Sequence, residues 1–352
     1  MRGRGDRLAE LVAERELDLL LVTHLVNVRY LTGFGGTNGA CLCGPDTRLF
    51  LTDFRYSERA AGEVDEWEVV TIREDWLGGI AERLQESTGF EDDHLSVRAH
   101  GKLEGAVGEG VDLKAAGGMV EGLRETKDEQ EVDAIARAAR LADEVYEETL
   151  AAGLAGRTER EVARAAVAAI RERDAEPSFP PIVAAGPNGA LPHAEPGDRT
   201  IEEGDLVVFD MGAELDGYCS DCTRTFAAGE PSGDTREVYE LVRRAQAAAL
   251  DAIGAGEEGK EVDAVARRLI EAAGHGEHFG HGLGHGVGLE VHEAPRLSSR
   301  SEDTLRAAEV VTVEPGVYVP GSYGVRIEDL VVITEEGHRN LSGLPKDLQV
   351  VG

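Results

Sequence analysis

Leu206-Val-Val-Phe-Asp210, Met211-Gly-Ala-Glu-Leu215, Asp216-Gly217 and Tyr218-Cys-Ser-Asp221-Cys-Thr-Arg-Thr-Phe226 run consecutively and read as a β-hairpin. An apolar β run ends in an acid, and Asp216-Gly217 is a two-residue turn signal. With that turn, Leu215 faces Tyr218, and period-two alternation sets every other pair. Asp210 and Asp221 then share a face as near-diagonal neighbours. Two carboxylates held that close repel unless a cation lies between them. A pair of exposed hairpin acids is the plainer alternative in so acidic a chain. The apolar run before Asp210 favours burial and a metal.

The same logic recurs downstream. Val310-Val-Thr-Val-Glu314-Pro-Gly is a strand ending in an acid before a turn, and Gly324-Val-Arg-Ile-Glu328-Asp-Leu-Val-Val-Ile333 is a following strand. By alternation Arg326 shares a face with Glu328, where it can hold a carboxylate, contact substrate or form a cross-strand ion pair. Asp329 points the other way. Phe279-Gly-His281-Gly-Leu-Gly-His285-Gly-Val-Gly-Leu-Glu-Val-His292-Glu-Ala-Pro-Arg296 is too rich in glycine for a helical histidine site. Its glycines are expected to make tight turns that bring imidazoles into a cleft. His193 lies in a proline-flanked loop, Leu191-Pro-His-Ala-Glu-Pro196, just before the first acidic strand. Asp210, Asp221, His285, Glu314 and Glu328 thus form a hard, mostly oxygen donor set, suited to Mn, Co, Fe or Zn rather than to a thiolate site. Such a set can hold two divalent ions, which together lower the pKa of a water and polarise a carbonyl. Nearby histidines would move protons or stabilise a tetrahedral intermediate.

Outward from these motifs, the second part contains a faint repeat. Gly156-Arg-Thr-Glu-Arg-Glu-Val and Gly256-Glu-Glu-Gly-Lys-Glu-Val each follow an alanine-rich helix and start another. Each half then delivers two of the four acids, so two related halves are expected to meet with the acids at the seam. The first part, to about residue 122, alternates helix and strand: a helix over 6–16, strands over 17–23, 49–52 and 67–71, and helical stretches between them and after Trp76. A capping box at Thr126-Lys-Asp-Glu129 opens a long helix with apolar Val132, Ile135, Ala139, Ala142 and Val145.

Composition bounds the rest. The 352 residues carry 68 acids against 36 Lys+Arg, a net charge of -32, and only five of the bases are lysines. Such a surface argues against nucleic acid and anionic membranes as partners. It suits a halophilic cytoplasm, where salt screens self-repulsion. Met1–Arg7 is charged and no run approaches the roughly 20 apolar residues of a membrane span, so a cytoplasmic protein is expected. Cys219 and Cys222 would face opposite sides of a strand, which disfavours a redox or zinc role; Cys41 and Cys43 complete the cysteines.

These segments, with Glu176-Pro-Ser-Phe-Pro-Pro-Ile-Val, Glu314-Pro-Gly-Val-Tyr and Gly324-Val-Arg-Ile-Glu, resemble the Xaa-Pro peptidases of the pita-bread metallopeptidase group, prolidase and aminopeptidase P. Arg29-Tyr-Leu-Thr-Gly-Phe and Thr52-Asp-Phe-Arg-Tyr extend the resemblance into a creatinase-type first domain. The resemblance implies an α+β fold: an α/β creatinase-type domain over 1–122 and a pita-bread catalytic domain of two related halves over 123–352. It implies that Asp210 chelates one metal ion, that Asp221 and Glu328 bridge two, and that His285 and Glu314 complete the second. His193, His281 and His292 would bind substrate or shuttle protons. Arg296 and Arg326 would orient substrate or site carboxylates, and Phe179 would line the pocket for the proline ring. It further implies hydrolysis of the bond preceding proline in peptides, and a homodimer whose first domain reaches toward the partner's site. Cys222, after Asp221, departs from the aliphatic or polar residue expected there. The alternatives are a metal-free creatinase-type hydrolase, a methionine aminopeptidase, a metal-dependent lyase acting on a small sulfonium acid, and a catalytically inert binding relative. The choice between dipeptidase and aminopeptidase stays open.

Overall fold

A computed structural model describes residues 3–352, which form two compact units, one ending at Arg124 and the other spanning Glu125–Gly352. In the first unit, strands β1 (Leu19–Val22), β2 (Ala40–Gly44), β3 (Thr47–Asp53), β4 (Glu68–Ile72), β5 (Ser87–Phe90) and β6 (Asp112–Ala115) build one sheet in the order β4-β3-β2-β1-β5-β6. The outer pairs β3/β4 and β5/β6 are parallel, as is β1/β5, while β2 pairs antiparallel with β1 and β3. Helices α1 (Arg4–Glu14), α2 (Leu25–Thr32), α3 (Ser57–Glu63), α4 (Trp76–Ala81), α5 (Val97–Ala106) and α6 (Met119–Glu125) alternate with the strands. The centre of the sheet is covered on both faces, so β1 and β2 are buried along their whole length and carry no polar alternation.

The second unit opens with α7 (Glu129–Ala151). Its capping box lies two residues later than the predicted one: Asp128 Oδ1 accepts from Glu131 N at 2.9 Å, and Glu131 Oε2 accepts from Asp128 N at 2.9 Å. Thr126 is instead held extended in a bridge to Glu309, which removes it from the capping position. The Asp-x-x-Glu spacing supplies the same reciprocal chemistry.

The two halves of this unit repeat in backbone detail. Helices α7 and α8 (Glu159–Arg171) of the first correspond to α9 (Gly233–Ala252) and α10 (Gly259–Ala272) of the second. Gly156, at φ 82°, donates to Ile201 O at 2.9 Å; Gly256, at φ 90°, donates to Leu305 O at 2.8 Å. The return bonds match as well, Ile201 N to Arg157 O and Leu305 N to Glu257 O. Both glycines occupy left-handed backbone that other residues adopt only with strain.

In the first half, β7 (Glu176–Pro177), β8 (Ile182–Ala185), β9 (Leu206–Asp210), β10 (Ala213–Leu215), β11 (Tyr218–Cys219) and β12 (Thr223–Ala228) form two sheets, β11-β10-β7 and, with a C-terminal strand Val350–Val351, an outer one containing β12-β9-β8. In the second half, β13 (Gly284–Gly286), β14 (Glu293–Leu297), β15 (Val310–Val313), β16 (Gly316–Val319), β17 (Tyr323–Arg326), β18 (Asp329–Thr334) and β19 (Gly337–Asn340) give a sheet β14-β13-β15-β18-β19 and a ribbon β16-β17. Each half buries its own core, around Tyr146, Val162, Phe209 and Phe226 in one and Val242, Val262, Leu283 and Ile327 in the other. Cys222 packs in the first of these and Cys219 in a third cluster with Val287 and Leu330; both thiols are free and buried. Among the described residues no helix is long and apolar enough to cross a membrane.

Candidate metal centre

The hairpin register runs as the sequence predicts. Leu215 pairs with Tyr218 across the Asp216-Gly217 turn, and Asp210 pairs with Thr223, which puts Asp221 diagonally beside Asp210. The return strand is not continuous, however. It breaks over Ser220–Cys222 between β11 and β12, where the chain passes close to Gly212. A Cβ at Gly212 would sit 1.8 Å from Ser220 O, so only glycine admits the crossing. The break turns Asp221 into the seam between the halves.

The second-half strand over 324–333 also breaks, at Ile327-Glu328. Val313 pairs with Asp329 and Gly316 with Arg326, so the shared register sets Glu314 opposite Glu328 and Pro315 opposite Ile327. Proline has no N–H to give, and the ladder opens there. Each half therefore interrupts a strand pair at the point where its acids emerge.

The glycine run corrects another expectation. His285 lies on a strand, β13, rather than in a turn, and no glycine from 280 to 288 has a positive φ. The glycines serve close packing: a Cβ on Gly284 would lie 2.0 Å from Thr312 O, and one on Gly286 2.1 Å from Ala294 O. His285 is thereby pressed against the strand that leads into Glu314.

All eleven residues singled out in the sequence line one cavity of about 590 Å³. Asp210, Asp221, His285 and Glu328 form a buried floor, Glu314 and His281 are partly buried, and His193, His292 and Arg296 stand exposed at the rim. Phe179, Pro180, Pro181, Ile182 and Val291 supply an apolar wall.

The floor is electrostatically crowded. Burial, then Glu328 and Asp210, push the Asp221 carboxyl well above the usual range. Burial, then Glu314 and Asp210, do the same to Glu328. Asp210 is also raised by burial, against the pull of Arg326, whose Nη2 lies 2.6 Å from Asp210 Oδ2. Glu314 goes the other way: burial opposes ionisation, but a hydrogen bond and positive charge at His285, a role that a metal ion on Nε2 would fill in place of a proton, prevail and bring it down to about 2.

Two observations show that this floor fits divalent cations. Asp210 Oδ1, Asp221 Oδ1 and Glu328 Oε1 are buried with no hydrogen-bond partner, a costly state for carboxylate oxygens. Second, His285 Nδ1 is 3.1 Å from Gly286 O, which can only accept, so Nδ1 carries the hydrogen. In the neutral ring Nε2 is then a bare lone pair, yet it faces Glu314 Oε1 at 3.3 Å and Asp221 Oδ2 at 3.6 Å. Lone pairs from three residues meet in a space that calls for positive charge. Donor atoms of Asp221, His285 and Glu328 all lie within 4.8 Å of one another.

Residues 133–335 match Metallopeptidase family M24, and residues 4–126 match the Creatinase/Prolidase N-terminal domain. The chain belongs to metallopeptidase family M24. This M24 chain is 36% identical to the Xaa-Pro dipeptidase of Pyrococcus furiosus over 354 residues, covering 99% of this chain and 100% of that one. The solved Xaa-Pro dipeptidase from Bacillus anthracis superposes with a TM-score of 0.96 at 39% identity, covering 99% of each chain. The X-Pro aminopeptidase from Thermotoga maritima MSB8 gives a TM-score of 0.91 at 35% identity, covering 98% of this chain and 100% of the other. The fold is the M24 pita-bread fold preceded by a creatinase-type domain, and the molecule is a metal-dependent hydrolase.

Four supporting residues of the M24 site escaped the sequence reading. Thr223 Oγ1 donates to Glu328 Oε2 at 2.7 Å and accepts from Arg326 Nε at 2.9 Å. Thr312 Oγ1 donates to Glu314 Oε1 at 3.1 Å and accepts from His285 N at 3.1 Å. Tyr318 Oη lies 2.9 Å from His281 Nε2 and accepts from Arg326 Nη1 at 3.0 Å. Arg224, fully buried and paired with Asp329 at 2.8 Å, donates to the carbonyl of Glu328. Period-two counting from the acids would have found three of them: Thr223 follows Asp221 by two, Thr312 precedes Glu314 by two, and Tyr318 follows it by four.

Proposed function

We propose that this chain hydrolyses the peptide bond preceding proline, with Xaa-Pro dipeptides as substrates. The observation that carries the reading is the convergence of His285 and four acids, three of them with unpartnered oxygens, at the floor of an apolar-walled cavity. Asp210 would chelate one ion, Asp221 and Glu328 would bridge two, and His285 and Glu314 would complete the second, with Mn, Co, Fe or Zn as the ion. Ions held there would polarise the scissile carbonyl and lower the pKa of the attacking water.

The protein's own groups account for the rest. Arg326 fixes Asp210 and, through Tyr318, reaches His281. His281 Nδ1 is 2.7 Å from the carbonyl of Gly282 and so carries the hydrogen there, leaving Nε2 to accept from the Tyr318 hydroxyl. Burial lowers the pKa of His281 and of His292, which favours neutral rings able to take up a proton during turnover. The proline nitrogen leaves only when protonated, and His193 and His292 at the cavity rim are suited to bind substrate or deliver that proton. The wall of Phe179, Pro180 and Pro181 suits a pyrrolidine ring. Arg296 would pair with the free carboxylate of a dipeptide, a group that a longer peptide places elsewhere.

The likeness to the Thermotoga X-Pro aminopeptidase favours a second reading, removal of the first residue from longer Xaa-Pro peptides. A cleavage panel with Mn or Co, run at high salt, separates them. Turnover of Xaa-Pro dipeptides alone supports the first reading, turnover of longer Xaa-Pro peptides alone supports the second, and cleavage of neither by metal-loaded protein refutes both. A homodimer in a halophilic cytoplasm completes the reading; a monomer in sedimentation equilibrium at working salt would remove the dimer.

A further inference from the structure

Away from the cavity, three side chains with metal-binding chemistry meet within the first unit. His24 is the N-cap residue of α2, His94 lies in the loop after β5, and Glu121 is in the first turn of α6. Their donor atoms all lie within 4.8 Å of one another. Glu121 Oε1 is 3.4 Å from His94 Nε2 and 4.0 Å from His24 Nδ1. The two imidazoles stack, centroids 3.6 Å apart and planes 8° from parallel.

The carboxylate among them is positioned from behind. Asn27, fully buried, donates through Nδ2 to Glu121 Oε1 at 2.5 Å and to Glu91 Oε1 at 2.6 Å, and its Oδ1 accepts from Arg124 Nη1 at 2.7 Å. Glu91 Oε2 in turn accepts from His24 N at 2.7 Å and Thr23 N at 2.6 Å, fixing the backbone that presents His24. Glu121 Oε2 is buried and has no hydrogen-bond partner. The carboxylate thus faces two imidazoles through Oε1, which Asn27 orders, while its other oxygen is buried without a partner, and a cation bound there would offset that unmatched charge. The 3.4 Å separation of Glu121 Oε1 and His94 Nε2 matches the ~3.3 Å edge of a tetrahedron around an ion with bonds of about 2.0–2.1 Å.

We propose that His24, His94 and Glu121 form a second metal site, independent of the catalytic floor, that takes one divalent first-row transition ion of the zinc type. Two imidazoles and one carboxylate select borderline ions over Mg or Ca. The parallel rings must splay for their lone pairs to converge on one point. His94, with 32% of its side chain exposed, has room to turn, while the Asn27 and Glu91 contacts fix the Glu121 carboxylate and the His24 backbone. Water completes the shell on the open side. The ion would tie together the cap of α2, the loop after β5 and the start of α6, three segments far apart in sequence.

The test is Zn2+ content of the full-length chain after equilibrium dialysis at neutral pH against a weak chelator. His94→Ala should carry one equivalent fewer than wild type, with Xaa-Pro turnover unchanged and with loss of the Zn2+-dependent hydrogen-exchange protection of α2 and α6. Glu121→Gln should show the same deficit. Equal Zn2+ content in wild type and both variants would overturn the site. A His94→Ala deficit accompanied by lost turnover in correctly folded protein would overturn its independence from catalysis. Failure of wild type to cleave Xaa-Pro peptides bears on the proposed activity and leaves the count of bound Zn2+ to decide this site.

Discussion

Thr223 Oγ1 donates to Glu328 Oε2 at 2.7 Å, so a single hydroxyl joins the hairpin of one half to the broken strand of the other. The same oxygen accepts from Arg326 Nε at 2.9 Å, and Arg326 holds Asp210. Thr223→Val keeps the shape and removes both contacts. Its affinity for Co2+ in a competitive chelator titration should fall by roughly 10- to 100-fold, the usual cost of losing a group that orients a metal ligand. Unaltered affinity would mean that the backbone alone orients Glu328.

Asp221→Asn removes one of four crowded acids. Turnover should fall on the order of 100-fold or more, as when a preorganised electrostatic contact is lost. The metal-free variant should nonetheless melt above the metal-free wild type at neutral pH, because the cost of protonating that buried carboxyl has gone. A lower melting temperature for the metal-free variant would contradict the raised pKa of Asp221.

The pH response follows from the same groups. Asp221 and Glu328 have folded-state pKa values raised well above their unfolded ones. Their protonated forms stabilise the metal-free fold fully at pH below the unfolded values, and that stability is lost as pH rises through the folded values. Metal binding must expel those protons, so apparent affinity should climb with pH over the same window. Calorimetry in two buffers of different ionisation enthalpy measures the released protons directly; zero release would refute the assignment.

Glu309 offers a check remote from the cavity floor. Burial raises its carboxyl to about 7, although Arg306 N and the Arg306 guanidinium favour the charge. With the folded value raised, its contribution to stability is present below about 4.5 and is lost as pH rises toward about 7. Glu309→Gln should therefore be less pH-sensitive than wild type between those limits in urea unfolding. Parallel pH profiles would exclude the buried charge as the cause.

Arg296→Ala should raise KM for Xaa-Pro dipeptides about fivefold, the scale of one solvent-accessible ion pair, and leave kcat nearly constant. The effect should vanish on dipeptides whose carboxylate is amidated. An equal rise on both substrates would place Arg296 outside the carboxylate contact.

A net charge of -32 with so few lysines bears on stability in solution. Unfolding midpoints should rise from dilute buffer to about 1 M KCl, where the Debye length shrinks to about 3 Å and self-repulsion is screened. A flat salt profile would remove the halophilic reading.

Much of the site was legible because it rests on short-range rules. The Asp216-Gly217 turn fixes the register, and the register alone places Asp210 beside Asp221. Alternation likewise puts Arg326 on the face of its acid. Local pattern misleads where long-range contacts override it. The glycines around His285 resemble turn residues, but the neighbouring carbonyls of Thr312 and Ala294 are what exclude larger side chains. Pro315 breaks a strand that looks continuous in sequence because it lies opposite Ile327, a pairing visible only in the register. β2 is not legible in the sequence because Ala40-Cys-Leu-Cys-Gly44 is short and lacks alternation, as a strand covered on both faces must.

The matched bonds of Gly156 and Gly256 close two equivalent loops, yet neither half owns the floor between them. Asp210 and Asp221 on one side and His285, Glu314 and Glu328 on the other are each an incomplete coordination shell. Ion uptake thus reports on whether the two halves have docked correctly. The absorption spectrum of bound Co2+ would serve as a folding clock for this unit, silent while either half is formed alone and switching on only when they meet.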